Sequence, residues 1–129
     1  MKFAYTIVYV SDVAASLDFF ERAFGLARRF MVETGEYGEL ETGGTSLSFA
    51  VHATARGNLG HGYVDAQSSV QPLGIEIGLV TEDVAAACER AVKAGAKLLK
   101  APATKPWGQT VAYVRCPDGT LVELCTAMG

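Results

Sequence analysis

Ser11-Asp12-Val13-Ala14-Ala15 and Glu82-Asp83-Val84-Ala85-Ala86, 71 residues apart, are two copies of one helix start, and their agreement decides the fold. Each copy follows a β-rich run: Tyr5-Thr6-Ile7-Val8-Tyr9-Val10 before the first, Ile75-Glu76-Ile77-Gly78-Leu79-Val80 before the second. Each also opens a helical pattern. Val13, Leu17, Phe20 and Phe24 recur on one face of a 3.6-residue period, with Gly25 as the stop. Val84, Cys88, Ala91 and Val92 mark the second inner face, and Gly95 ends it. Ser11 or Asp12, and Thr81 or Asp83, supply the side-chain oxygen that an N-cap needs to accept free N–H groups of the first turn. A four-residue match alone is weak. Strand, cap, period and terminal glycine agreeing together mark a duplication.

Short strands are expected after each helix. In the first half they fall at about 27–33, 37–42 and 46–52, with Gly35 and Gly43-Gly44 at the turns. In the second half they fall at about 97–100, 109–115 and 120–126, with Pro117-Asp118-Gly119 as the last turn. Both halves read β-α-β-β-β. The expected organisation is one α+β domain over residues 1–129, made of modules 1–52 and 74–129 joined by a Gly-, Ser-, Asn- and Gln-rich linker, 53–73. A structureless stretch that long serves as a linker, a binding loop or a disordered segment.

Composition narrows the partners. The chain has 129 residues, half of them hydrophobic and 19% charged, the balance of a globular protein with one real core. Net charge is −3 and the eleven Lys and Arg are scattered, which argues against nucleic acid or an anionic membrane as partner. No apolar run approaches a membrane span, and the N-terminus enters a strand pattern without a signal peptide's apolar stretch. Cys88, Cys116 and Cys125 are odd in number and at no metal or redox spacing, so they read as reduced thiols of a cytoplasmic protein.

Strand alternation locates the chemistry. On 75–80 the Ile75, Ile77 and Leu79 side chains share the face that the helices should cover, and Glu76 takes the other; on 120–126 Val122 and Leu124 oppose Glu123. The repeat carries Glu76 back to Tyr5 and Glu123 back to about Ser48. One concave surface is thus expected to hold Tyr5, Ser48, Glu76 and Glu123. Two readings of its carboxylates stay open. An antiparallel sheet can keep one face wet, where a glutamate needs no explanation. In a closed cleft the same carboxylates must be paired, protonated or bound to a divalent ion, or one must serve as a general base.

These residues resemble the vicinal oxygen chelate superfamily, which holds glyoxalase I, extradiol dioxygenases, fosfomycin-resistance enzymes and bleomycin-resistance proteins. The resemblance is carried by Ser11-Asp12-Val13 through Phe19-Phe20-Glu21 to Phe24-Gly25-Leu26. It is carried again by Val111 to Gly119 and on through Val122-Glu123-Leu124. It implies paired β-α-β-β-β modules forming an incomplete mixed barrel around a cleft, helices outside, commonly in a homodimer whose sites borrow from both subunits. Metal-dependent members place four ligands at positions that fall here on Tyr5, Ser48, Glu76 and Glu123. Glu76 and Glu123 match as oxygen donors; Tyr5 and Ser48 depart, since a neutral phenol and a serine hydroxyl are weak ligands for Zn²⁺, Ni²⁺ or Fe²⁺.

The expected function is therefore a small-molecule-binding protein. It would sequester a planar or cationic ligand without a metal, through Tyr5, Ser48, Glu76, Trp107, Tyr113 and Glu123. The alternative is a divalent-metal-dependent glyoxalase-like lyase or isomerase, or a dioxygenase, using Glu76 and Glu123 as metal ligands or base. Trp107, in Lys105-Pro106-Trp107-Gly108-Gln109, is either a cleft wall or a plug over the core. His61 and Tyr63 lie in the linker and His52 is expected to end a strand on the Ser48 face; both histidines read as surface residues. Cys125, beside Glu123, reads as packing.

Overall fold

The computed structural model describes residues 1–128. The first module comprises β1 (Tyr5–Val10), α1 (Val13–Phe24), β2 (Arg28–Met31), β3 (Tyr37–Leu40) and β4 (Ser46–Val51). After α2 (His52–Leu59) the second comprises β5 (Glu76–Val80), α3 (Val84–Ala94), β6 (Lys97–Thr104), β7 (Thr110–Arg115) and β8 (Leu121–Cys125). Two four-stranded mixed sheets result, ordered β1-β4-β3-β2 and β5-β8-β7-β6, and they do not close into a barrel. In each, the first strand runs parallel to the last and the others are antiparallel. The registers repeat as well: Ile7 pairs with Ser48, and Gly78, at the same offset of 71, pairs with Glu123.

The helix ends settle the cap alternatives. Asp12 accepts from the Ala15 N–H at 3.0 Å and Asp83 from the Ala86 N–H at 3.0 Å, so the aspartates cap rather than Ser11 or Thr81. Gly25 and Gly95 stop the helices at φ 70° and 125°, a region that a Cβ disfavours.

One core serves both modules, because α1 and α3 pack on each other as well as on their sheets. Val13, Leu17 and Phe20 of α1 and Val84, Cys88 and Ala91 of α3 are all buried in it. Val13 and Val84 are identical, but at the next two core positions the second helix is the smaller, with Cys88 for Leu17 and Ala91 for Phe20. Phe20, fully buried against Phe49 at 5.1 Å and Phe24 at 5.2 Å, has Ala91 as its repeat counterpart. Large side chains on one helix filling the space left by small ones on the other let the pair approach closely. Gly38 does the same for the sheet: a Cβ there would lie 2.7 Å from Leu17 Cδ1.

Several expectations are corrected. The 53–73 stretch is not structureless: α2 occupies its start, its first residue is His52, and β4 therefore ends at Val51. The remainder is tied down. Arg115 donates to the carbonyls of Ala66, Ser69 and Val70, and Gln67 bridges Ser11 and the Pro117 carbonyl. Gly119, at φ 92°, lies so close beneath that a Cβ would be 2.2 Å from the Ala66 oxygen. β6 continues past 100 to Thr104 through two register shifts, which let an edge strand carry Pro102. Ile75 precedes β5 and is exposed rather than covered by a helix, while Ile77 and Leu79 pack on the core. Among the described residues no helix is long and apolar enough to cross a membrane.

Candidate functional site

The sheet faces turned away from the helices carry the polar groups. In the second module this face presents Glu76 from β5, Tyr113 and Arg115 from β7, and Glu123 and Cys125 from β8. Tyr113 stands across from Glu123 and its hydroxyl donates to Glu123 Oε1 at 2.7 Å. That bond, then burial and the charges of Glu123 and Glu76, pushes the Tyr113 hydroxyl up to about 12. Glu76 pairs with Leu121, two residues before Glu123, so the two carboxylates are diagonal neighbours on one face. Glu76 is exposed, yet partial burial first and the Glu123 charge second hold its carboxyl above the usual range. The Cys125 thiol is raised by burial, then by its hydrogen bond to Glu123 and the two carboxylate charges. Among the described residues no Lys, Arg or His lies within 4.0 Å of either carboxylate. Neither carboxylate thus has a close ion pair among the described residues, although Arg115 and, directly across from Tyr113, Lys100 stand on the same face.

Trp107 stands at its rim. The indole is 66% exposed, which excludes a plug over the core. Its Nε1–H donates to Gln109 Oε1 at 2.9 Å, and Gln109 Nε2 donates to the Thr126 carbonyl at 2.9 Å. The relay ties an exposed aromatic surface to the end of the strand that bears Glu123.

The first module presents the counterpart face differently. Tyr5 is 57% exposed, whereas Ser48 has no accessible surface and its Oγ has no hydrogen-bond partner among the described residues. Sequence reasoning missed Tyr37 and Glu39. Glu39 pairs with Ser48 across β3 and β4, its Oε2 accepts from the Tyr37 hydroxyl at 2.7 Å, and its Oε1 lies 3.6 Å from Arg29. Burial first, and the Glu39 carboxylate after it, raise the Tyr37 hydroxyl, although the Ser48 hydroxyl opposes the shift. Tyr37-Gly38-Glu39-Leu40 alternates polar and core-facing residues; that period-two signal marks both as outward from the helices.

Of the six expected ligand-binding residues, Glu76, Tyr113 and Glu123 stand on one sheet, with Trp107 on the loop before β7. Tyr5 and Ser48 stand on the other. A metal ion at the four expected positions does not suit these donors. Glu123 already binds Tyr113, Tyr5 offers a neutral phenol, and Ser48 is sealed in. Among the described residues no group of three or more His, Cys, Asp and Glu side chains gathers to hold an ion.

Duplicated β-α-β-β-β modules with polar faces turned away from their helices define a class of paired-module proteins. Within it, the model of the Glyoxalase/Bleomycin resistance protein/Dioxygenase superfamily matches residues 2–124, and the chain belongs to that superfamily. It is similar in structure to a glyoxalase-related enzyme from Fulvimarina pelagi, at 24% identity and TM-score 0.84, over 98% of this chain and 88% of that one. It is also similar to a glyoxalase/bleomycin resistance protein/dioxygenase family enzyme from Burkholderia phytofirmans PsJN, at 19% identity and TM-score 0.82, over 98% of each chain. A family member from Nocardioides aligns at 19% identity and TM-score 0.71, over 99% and 84%. At such identities the likeness carries the fold alone. No curated protein matches the chain.

Proposed function

We propose that the chain is a small-molecule-binding member of this superfamily that sequesters a planar, cationic organic ligand without a resident metal. The observation that carries the reading is the pair of carboxylates, Glu76 and Glu123, left without a basic partner beside Tyr113 and the rim indole of Trp107. A cation desolvated against an aromatic face and a carboxylate gains from both, on the order of 2 kcal/mol or more from the ring alone. Tyr5 and Ile7 are exposed on the neighbouring face of the first module. In this reading a second copy of the chain covers them and closes the cleft. The three buried, free cysteines fit a cytoplasmic setting.

The test is quenching of Trp107 fluorescence by proflavine, a planar cation, against acridone, an uncharged analogue. Saturable quenching by proflavine, weakened at least tenfold in Glu123→Gln and less in Glu76→Gln, is expected. Equal response to the two compounds, or proflavine binding indifferent to Glu123→Gln, overturns the reading. So does stoichiometric metal in chelator-free protein that both variants lose.

A further inference from the structure

A second cluster of reactive groups lies at the far end of the first module's face, outside the carboxylate site. His52, the first residue of α2, is largely buried, with 15% of its side chain exposed, because the strap after α2 folds back over it. It is not the surface residue expected from sequence; His61 is. The Tyr63 hydroxyl and His52 Nδ1 are 2.5 Å apart, with the two rings inclined by 25°. His52 Nε2 lies 3.7 Å from Asp65 Oδ1 and has no other polar partner among the described residues. Tyr9 of β1 packs on the Tyr63 ring with centroids 4.8 Å apart, and the Arg56 guanidinium stands 5.3 Å from that ring's centroid.

This arrangement fixes the tautomer. A phenol at neutral pH is a donor, so Nδ1 accepts from Tyr63 and the imidazole proton sits on Nε2, facing the carboxylate. The three groups then stand in the order acid, imidazole, hydroxyl: the imidazole is bonded to the hydroxyl, and the acid, 3.7 Å from Nε2 and beyond hydrogen-bond reach, acts on the ring by charge. Arg56 places positive charge over the ring where a phenolate would form. Burial raises the Asp65 carboxyl, but hydrogen bonds from Gln67 and Ser68 and the nearby His52 outweigh it and hold it below the usual range, so a negative charge stands beside the imidazole.

We propose that His52, bonded to the Tyr63 hydroxyl and flanked by the Asp65 carboxylate, acts as a base that makes Tyr63 a nucleophile toward activated acyl compounds. In the step, the Tyr63 oxygen attacks the acyl carbon and its proton passes to His52 Nδ1. The bond to the leaving group then breaks, and the departing group takes that proton from His52. The products are an aryl ester on Tyr63 and the protonated leaving group, with His52 neutral again. Asp65 acts through His52 and is a positioning residue. The inference is independent of the carboxylate site and of any cation that binds there.

N-acetylimidazole is the probe, with site-resolved mass spectrometry as the readout. Tyr63 is expected to acetylate faster than Tyr5, although Tyr5 is the more exposed. His52→Gln still offers Tyr63 an oxygen to bond but takes no proton; its Tyr63 rate is expected to fall at least tenfold. Asp65→Asn slows Tyr63 while Asp65→Glu restores it. A contact that merely pins the strap predicts the reverse, since loosening it in His52→Gln would expose Tyr63 and speed its acetylation. That result, or a Tyr63 rate below that of Tyr5 in the unaltered protein, overturns the proposal. Tyr5, remote from His52 in the sequence and on the opposite end of β1, reports in the same sample whether each variant keeps its fold.

Discussion

The two modules share a backbone plan and differ in where each keeps its acid. In the second, Glu123 stands on the last strand, half-buried, bonded to Tyr113 and free of any basic partner among the described residues. In the first, the equivalent position is Ser48, and the acid has moved one strand over to Glu39, where it is 6% exposed and faces Arg29. A tyrosine hydroxyl at 2.7 Å satisfies both. The consequence differs. A buried carboxylate whose charge is met from within serves the fold; in the proposed reading, the one without a close basic partner is left to meet a cation from outside. Of the two acids, only the second module's lacks a basic group within 4.0 Å among the described residues.

The helices show the same asymmetry in size, and breaking it there has the largest effect. Phe20→Ala removes a fully buried ring between Phe24 and Phe49 and is expected to cost about 3–5 kcal/mol. Its counterpart Ala91 offers no ring to remove. Ala91→Phe instead overpacks the α1–α3 contact, costing roughly 1–3 kcal/mol. Urea denaturation of the two variants measures both. Comparable losses, or a neutral Phe20→Ala, would show that the core does not depend on this large-on-small pairing.

The acids come next, because they separate stability from binding. Glu39→Ala leaves the Tyr37 hydroxyl without its acceptor, at a cost of about 1–3 kcal/mol, and leaves proflavine affinity unchanged. Glu123→Ala does the opposite: affinity falls at least tenfold while stability changes less. Calorimetry and fluorescence titration on the same two variants provide the crossed comparison. If Glu39→Ala weakens binding as much as Glu123→Ala, both modules feed one site and the distinction fails.

Most of the architecture was legible because it rests on periodicity. The repeat at Asp12-Val13-Ala14 and Asp83-Val84-Ala85, the terminal glycines and the alternation around Glu76 and Glu123 are local patterns, and each appears where local physics puts it. Glu39 was not legible. A lone glutamate in a short strand reads as solvated, and only the tertiary approach of Arg29 and Tyr37 makes it a buried partner. His52 was missed for a related reason. Its burial depends on a strap whose course is set by Arg115 holding three carbonyls, contacts 45 to 49 residues away in the chain that no sequence period records.

Tyr113 gives a smaller, pH-dependent reading of the second module's charge. Its hydroxyl titrates at about 12 instead of 10.0 because the bond to Glu123 requires the neutral phenol. A folded-state value above the unfolded one means that the bond's contribution is fully present below pH 10 and is lost as pH rises through 12. Phenolate absorbance should place this midpoint, and Glu123→Gln should lower it toward 10.0. Glu76→Gln removes only a through-space charge and should lower it less. A midpoint unmoved by Glu123→Gln would mean that burial, not the carboxylate, holds the phenol neutral.

The smallest effect falls on Ser48, the first module's stand-in for Glu123. Its Oγ is buried and makes no hydrogen bond of full geometry among the described residues, although it stands near enough to the Tyr37 hydroxyl to oppose that group's shift, so little offsets its desolvation. Removing a satisfied buried hydroxyl costs about 1 kcal/mol, but removing an orphaned one relieves a penalty instead. Ser48→Ala should therefore leave stability within about 0.5 kcal/mol or raise it, and leave proflavine binding untouched. A loss above about 1 kcal/mol would show that the hydroxyl has a partner in solution. The nearest candidates, Glu39 directly across the strand pair and Tyr37 bonded to it, would then make Ser48 the third member of a polar network. In that case the first module's buried acid is held by a closed polar network, and the contrast with the half-buried Glu123 grows sharper.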